Sequence, residues 1–137
     1  HYAATLAAVL DSLSAVPDGA ALVVANIVYR PAEIVGVRGR WDRVSRPVLI
    51  DGLTEKMMGA LSAEGSGVST RVRVYSHSGE LIHNGHGGID LPWKLTVSWR
   101  GDVFTTSMVE RSGADIFEDP VLIARSIMLA FDPYIPR

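Results

Sequence analysis

Three of the four histidines in this 137-residue chain fall within ten positions of one another. His77, His83 and His86 sit in a stretch that reads His77-Ser78-Gly79-Glu80 and then His83-Asn84-Gly85-His86-Gly87-Gly88, with Asp90 just beyond. Neutral imidazoles and a carboxylate are the donor set of zinc, copper or nickel sites, where a bound metal activates water. The spacing opposes that chemistry. It fits neither two histidines one helical turn apart nor the H-E-x-x-H arrangement, and a glycine-rich segment is no rigid platform for ligands. The segment His77–Gly88 therefore reads as a mobile or partner-ordered loop, and no cofactor is expected. A metal-dependent enzyme or metal-binding protein using His77, His83, His86 and Asp90 is the alternative.

Other reactive constellations are weaker still. The chain has no cysteine, which removes disulfides, thiolate metal sites and cysteine nucleophiles. Gly65-Ser66-Gly67 places a serine between glycines but is not a G-x-S-x-G elbow, and it reads as a turn. Phosphate-binding glycine motifs are absent. Asp115, Glu118 and Asp119 read as acids at the start of a helix, with Asp119 as its N-cap. Arg100-Gly101-Asp102 falls where two strands reverse, and Gly-Asp there is ordinary turn chemistry.

The basic residues carry more. Arg38, Arg40, Arg71, Arg73, Lys94 and Arg100 each alternate with apolar residues of a strand, so in a single sheet they would share one face. Net charge is only −2, which argues against a dedicated nucleic-acid binder. Its distribution is uneven: residues 30–73 hold eight basic and five acidic groups, whereas residues 102–137 hold three arginines and six acids. The stacking aromatics of a nucleic-acid-binding sheet are missing from the basic face, since Trp93 and Trp99 alternate onto the opposite one.

The elements that must position these groups follow from periodicity. Leu6, Val9, Leu10 and Leu13 predict an amphipathic helix, ended by Pro17-Asp18-Gly19. Residues 20–29 form a near-continuous apolar strand, after which Arg30-Pro31-Ala32 allows a reversal. Val35, Val37 and Trp41 mark a second strand, and residues 42–46 a basic loop. Leu53, Met57, Ala60 and Leu61 predict a second helix, N-capped by Asp51 and closed by Gly65. Strands are expected at 69–76, 93–100 and 103–111, with a weaker one at 80–83. A last helix opens at Asp119-Pro120, presents Ile123, Ala124, Ile127, Met128 and Phe131 to the core, and stops at Pro133. Strict alternation predicts that Trp93, Leu95, Val97 and Trp99 are buried against the first and last helices.

The order α-β-β-α-β-β-β(-β)-α defines an α+β fold, with one mainly antiparallel sheet and three helices. Length and composition suit a single domain over 1–137, without a linker or repeat. No apolar run reaches the roughly 18 residues of a membrane helix, and no signal peptide is visible, so a soluble chain of unassigned compartment is expected. The pattern favours a non-catalytic interaction or assembly module. Such a module would associate head-to-tail through the basic sheet face and the acidic C-terminal region. Ring, neck and tail subunits of viruses and phages share that size and charge, as do toxin-neutralising proteins. The expected partner is a second copy or an acidic protein, ahead of nucleic acid. A small-ligand sensor, with a pocket between sheet and helices, is the third reading.

Overall fold

A computed structural model of the chain describes residues 21–51 and 62–132, together with the isolated positions 4, 8 and 11. The apolar stripes of the other two expected helices, Leu6, Val9, Leu10 and Leu13, and Leu53, Met57, Ala60 and Leu61, lie outside these residues. Among the described residues the fold is mostly antiparallel sheet with two helices. The strands are β1 (Ala21–Val35), β2 (Arg38–Trp41), β3 (Val44–Pro47), β4 (Ile50–Asp51), β5 (Ser62–Ser76), β6 (Leu81–Asp90), β7 (Trp93–Arg100) and β8 (Val103–Glu110). Helices α1 (Gly113–Ile116) and α2 (Pro120–Phe131) follow.

The single expected sheet is two. One has the order β3-β2-β1-β5-β6, and the other the order β4-β7-β8 with a parallel β4–β7 pair. The long ladder between β1 and β5 is the spine of the first. It runs unbroken from Ala21↔Ser76 to Val35↔Ser62. Pro31 does not reverse the chain. It lies inside β1 beyond the β1–β2 pairing, which covers Glu33 to Val35, and the reversal comes at Gly36, whose φ is +58°. Gly65 ends no helix, because β5 already begins at Ser62.

The five-stranded sheet curls until its edges meet. Gly88 N donates to Asp42 O at 3.2 Å, and Arg46 Nε donates to Ile89 O at 2.8 Å. Trp41 fills the space enclosed. Its Nε1 donates to Ser69 Oγ (3.1 Å) and Val68 O (3.3 Å), and a Cβ at Gly67 would lie 2.2 Å from its ring. Trp93 enters the same core from β7 and donates to Ser66 O at 2.9 Å. Burial then fades along β7. Trp93 and Leu95 are buried, Val97 is half-buried, and Trp99 is 49% exposed. The expected burial of all four against helices fails because β7 and β8 run on beyond the core.

The glycine- and histidine-rich segment is a strand, not a loop. Residues 83–88 pair in register with β5, from Val74↔His83 to Ser69↔Gly88. Its glycines bring α2 close: a Cβ on Gly87 would lie 1.9 Å from Ser126 O, and one on Gly85 1.8 Å from Ala130 O. So close a crossing takes small residues, and α2 therefore buries Ser126, Leu129 and Ala130. The face expected inside is turned outward, with Ile127, Met128 and Phe131 exposed. The Ser126 hydroxyl is satisfied by Thr70 Oγ1 and Ile123 O, both at 2.8 Å. Asp119 is the N-cap, accepting from Val121 N at 2.8 Å, with Pro120 in the first turn.

Two stability measurements check this architecture. Gly87→Ala should lower the unfolding free energy read from urea denaturation by roughly 1–3 kcal/mol, since the added methyl meets helix backbone that cannot rotate away. Asp119→Ala should cost about 1 kcal/mol through the lost cap.

Candidate functional site: a groove at the C-terminal end of α2

The histidines do not converge. His83 opposes Val74 and His86 opposes Arg71, so alternation puts them on opposite faces of β6. His77 is exposed near the β5–β6 turn. Asp90 is held in an ion pair with Arg111, Nη1 to Oδ2 at 2.8 Å. Among the described residues no group of three or more histidines and carboxylates could hold a metal. A strand separates what a wrapped loop would have gathered.

The basic face is divided as well. Arg38 and Arg40 share a face with Val35 and Glu33 of β1, while Arg71 and Arg73 oppose Asn26 and Val24 on the other face. Lys94 and Arg100 belong to the second sheet. Each also has its own setting. Arg38 donates to the Ser45 hydroxyl (2.8 Å) and carbonyl (3.0 Å), Arg71 Nε to Asn26 Oδ1 (3.3 Å), and Lys94 pairs with Asp51 at 2.5 Å. Alternation along one strand told inside from outside. It could not tell which faces of neighbouring strands coincide.

What the structure gathers instead is a groove between the β2–β3 turn, the first half of β6 and the C-terminal half of α2. Trp41, Arg43, His83, His86, Arg125 and Met128 are among its lining residues. The turn that forms one wall is strained. Asp42 and Arg43 have φ of +36° and +67°, a backbone region that side chains other than glycine seldom occupy. Side-chain bonds on both residues hold it. Asp42 accepts from Ser69 Oγ at 2.7 Å and from Arg30 Nε at 3.3 Å. Arg43 donates to the carbonyls of Leu129 and Asp132, and to His86 O at 3.1 Å. A guanidinium on the last carbonyls of a helix satisfies orphan acceptors and complements the negative end of the dipole.

The two histidines border the groove with different roles. His83 donates from Nε2 to Ala130 O at 2.7 Å and stacks on Phe131, ring centroids 6.1 Å apart. It is a helix clamp. His86 has its pKa pushed below the ordinary 6.5, first by burial, then by the charges of Arg30 and Arg71, with Asp42 opposing. Ser45, the serine among the lining residues, accepts from Arg38 Nε at 2.8 Å, and the nearby Ser69 hydroxyl has Trp41 and Asp42 as its bonded partners. Charge at the rim favours anions. Arg40, Arg43 and Arg125 stand against Glu33 and Asp42, and Asp42 is already engaged by Arg30.

Sequence reasoning missed this site because its parts come from four separated segments. One signal was present: Asp42-Arg43 between two short β patterns is turn-like, and the arginine follows a tryptophan destined for the core. No protein-family model, curated protein or solved structure matches the chain.

The depressed His86 pKa has a defined consequence for stability. The unfolded chain takes up the proton at higher pH than the folded one. The stabilisation is therefore complete above 6.5 and is lost as pH falls below it. Urea midpoints across that range should drop toward acid for the parent protein and change less for His86→Gln. An NMR titration should place the His86 midpoint below 6.5, and Arg71→Gln should move it upward.

Proposed function

We propose that this chain is a non-catalytic interaction and assembly module, associating head-to-tail with copies of itself or with an acidic protein partner. The observation that carries the reading is the β7–β8 hairpin. From Ser98 through Glu110, every position whose surroundings are described is exposed, including Trp99, Val103 (64% exposed) and Met108. β8 is the edge of its sheet. It carries no proline and no lysine, and no charge between Asp102 and Glu110. Natural edge strands are blunted by such residues or covered, because a row of unpaired N–H and C=O groups templates pairing with another chain. An eight-residue edge with apolar groups and none of those guards is suited to an arm that a neighbour covers.

Charge supports the same reading in a changed form. The six basic residues lie on two sheets and on both faces of one, so they make no common patch. The basic groove and the acidic residues around α1 remain as separated surfaces of opposite sign. Such surfaces steer encounter and set register more than they add affinity. Neither alternative has comparable support. The metal reading needs His77, His83, His86 and Asp90 together, and the strand disperses them. A sensor reading would have to use the groove itself, since Ser126 and Ala130 close the rest of the sheet–helix contact against Gly87 and Gly85.

Among the described residues no helix is long and apolar enough to cross a membrane. Sedimentation velocity across concentration and salt tests the proposal. The parent protein should show mass above the monomer that falls as salt rises, because screening weakens opposed charges. Thr106→Lys with Met108→Lys, both at exposed positions, should keep the thermal midpoint and lower the associated mass. A parent protein that stays monomeric at millimolar concentration and low salt, and retains no acidic partner, would overturn the reading.

A further inference from the structure

The two ends of α2 differ in a way that fits them to each other on successive molecules. At its N-terminal end the chain turns a corner through α1, and Asp115, Glu118 and Asp119 are all exposed there. Phe117, an aromatic residue 38% exposed, stands among these three acids. At the other end lies the groove. Its floor is apolar, from Trp41 and Leu129 to Met128 (68% exposed), and Arg40 and Arg125 at its rim are exposed. An aromatic anchor among acids complements an apolar floor whose rim carries Arg40 and Arg125, with Glu33 opposite Arg40 as the one exposed acid of that rim.

We propose that the groove receives the Asp115–Asp119 corner of a second copy, with Phe117 against Met128 and the acids against Arg40 and Arg125. The inference rests on the assembly reading above and names the surfaces that carry it. A second copy is favoured over an unrelated acidic protein because this chain itself displays the complement. The separation also rules the contact intermolecular. Met128 lies eight residues beyond Pro120, about 12 Å along the axis, and Phe117 precedes Pro120, so the Phe117 ring cannot fold back onto Met128 of its own molecule, whereas Arg125 is only six residues from Asp119. Donor and acceptor are different patches, and the contact is heterologous. It repeats from copy to copy, closing as a ring or running on as a filament.

A mixing experiment tests this. One variant, Asp115→Arg with Glu118→Arg, removes the donor and keeps the groove. The other, Arg125→Glu with Met128→Asp, removes the acceptor and keeps the corner. All four positions are exposed and none caps a helix, so circular dichroism and thermal midpoints should match the parent. Each variant alone should associate about tenfold or more weakly than the parent, keeping only what the β8 edge contributes. Mixed, they should recover one groove–corner junction per pair and associate more tightly than either variant alone. Two outcomes overturn the inference while leaving the assembly reading in place. In one, both variants assemble like the parent. In the other, only the acceptor variant fails, which means that the groove takes a different acidic segment. A parent protein monomeric throughout overturns both.

Discussion

Everything in the five-stranded sheet depends on where the Trp41 indole goes. It is brought over β5 by the short β2–β3 hairpin, and it fits because Gly67 and Gly88 offer backbone where side chains would stand. Its N–H is satisfied by Ser69 Oγ and Val68 O, so a large polar-tipped ring is buried without an orphan donor. With the indole seated, the sheet must curl, and the curl carries Asp42 to Gly88 and Arg46 to Ile89. The closure then creates the strained turn at Asp42-Arg43, and that turn reaches the last carbonyls of α2. One aromatic side chain thus links the sheet's curvature, its edge contact and the position of the helix end.

The same economy of space governs the other face. β6 is rich in glycine because two things press on it, Val44 and Trp41 from inside the curl and the α2 backbone from outside. A helix so close to a sheet buries serine and alanine well and large side chains poorly. The consequence is an inversion of the usual amphipathic rule: α2 keeps Ser126 inside with its hydroxyl bonded to Thr70, and sends Met128 and Phe131 outward. Packing distance overrode hydrophobic preference. Met128, one of those displaced residues, lines the groove, so a packing constraint supplies part of its apolar surface.

The sequence was most legible where local chemistry decides. Asp119-Pro120 marks a helix start by a cap and a missing N–H, and the structure starts α2 there. The alternation over Trp93–Arg100 locates β7 to the residue, and Gly101, with φ of +62°, turns it into β8. Legibility failed where long-range geometry decides. Gly85, Gly87 and Gly88 look like loop residues because flexibility is glycine's commonest use, yet here their value is the absent Cβ. The histidines looked like one cluster because they are near in sequence, and a period of two then separated them. The basic residues looked like one face because the register between strands is invisible from within each strand. The groove was unreadable for the same reason in stronger form, since its walls come from residues as far apart as Glu33 and Ala130, and only the fold brings them together.

Taken as a surface, the molecule combines two features that monomers ordinarily suppress. One is the unguarded β8 edge on a projecting hairpin. The other is a helix with its larger apolar residues outside, its acids at one end and a basic groove at the other. Either alone could be a tolerated imperfection, because scattered exposed apolar residues are normal on soluble proteins. Together they are directional. Under the proposed assembly, the exposed hairpin takes a neighbour displaced along one axis, and the proposed donor and acceptor along α2 define an axis of their own. Interfaces built on two different patches leave one patch unused at each end until the assembly closes or extends. The exposure of β8 in a single copy is, under the proposed assembly, the expected property of a subunit that the next one covers.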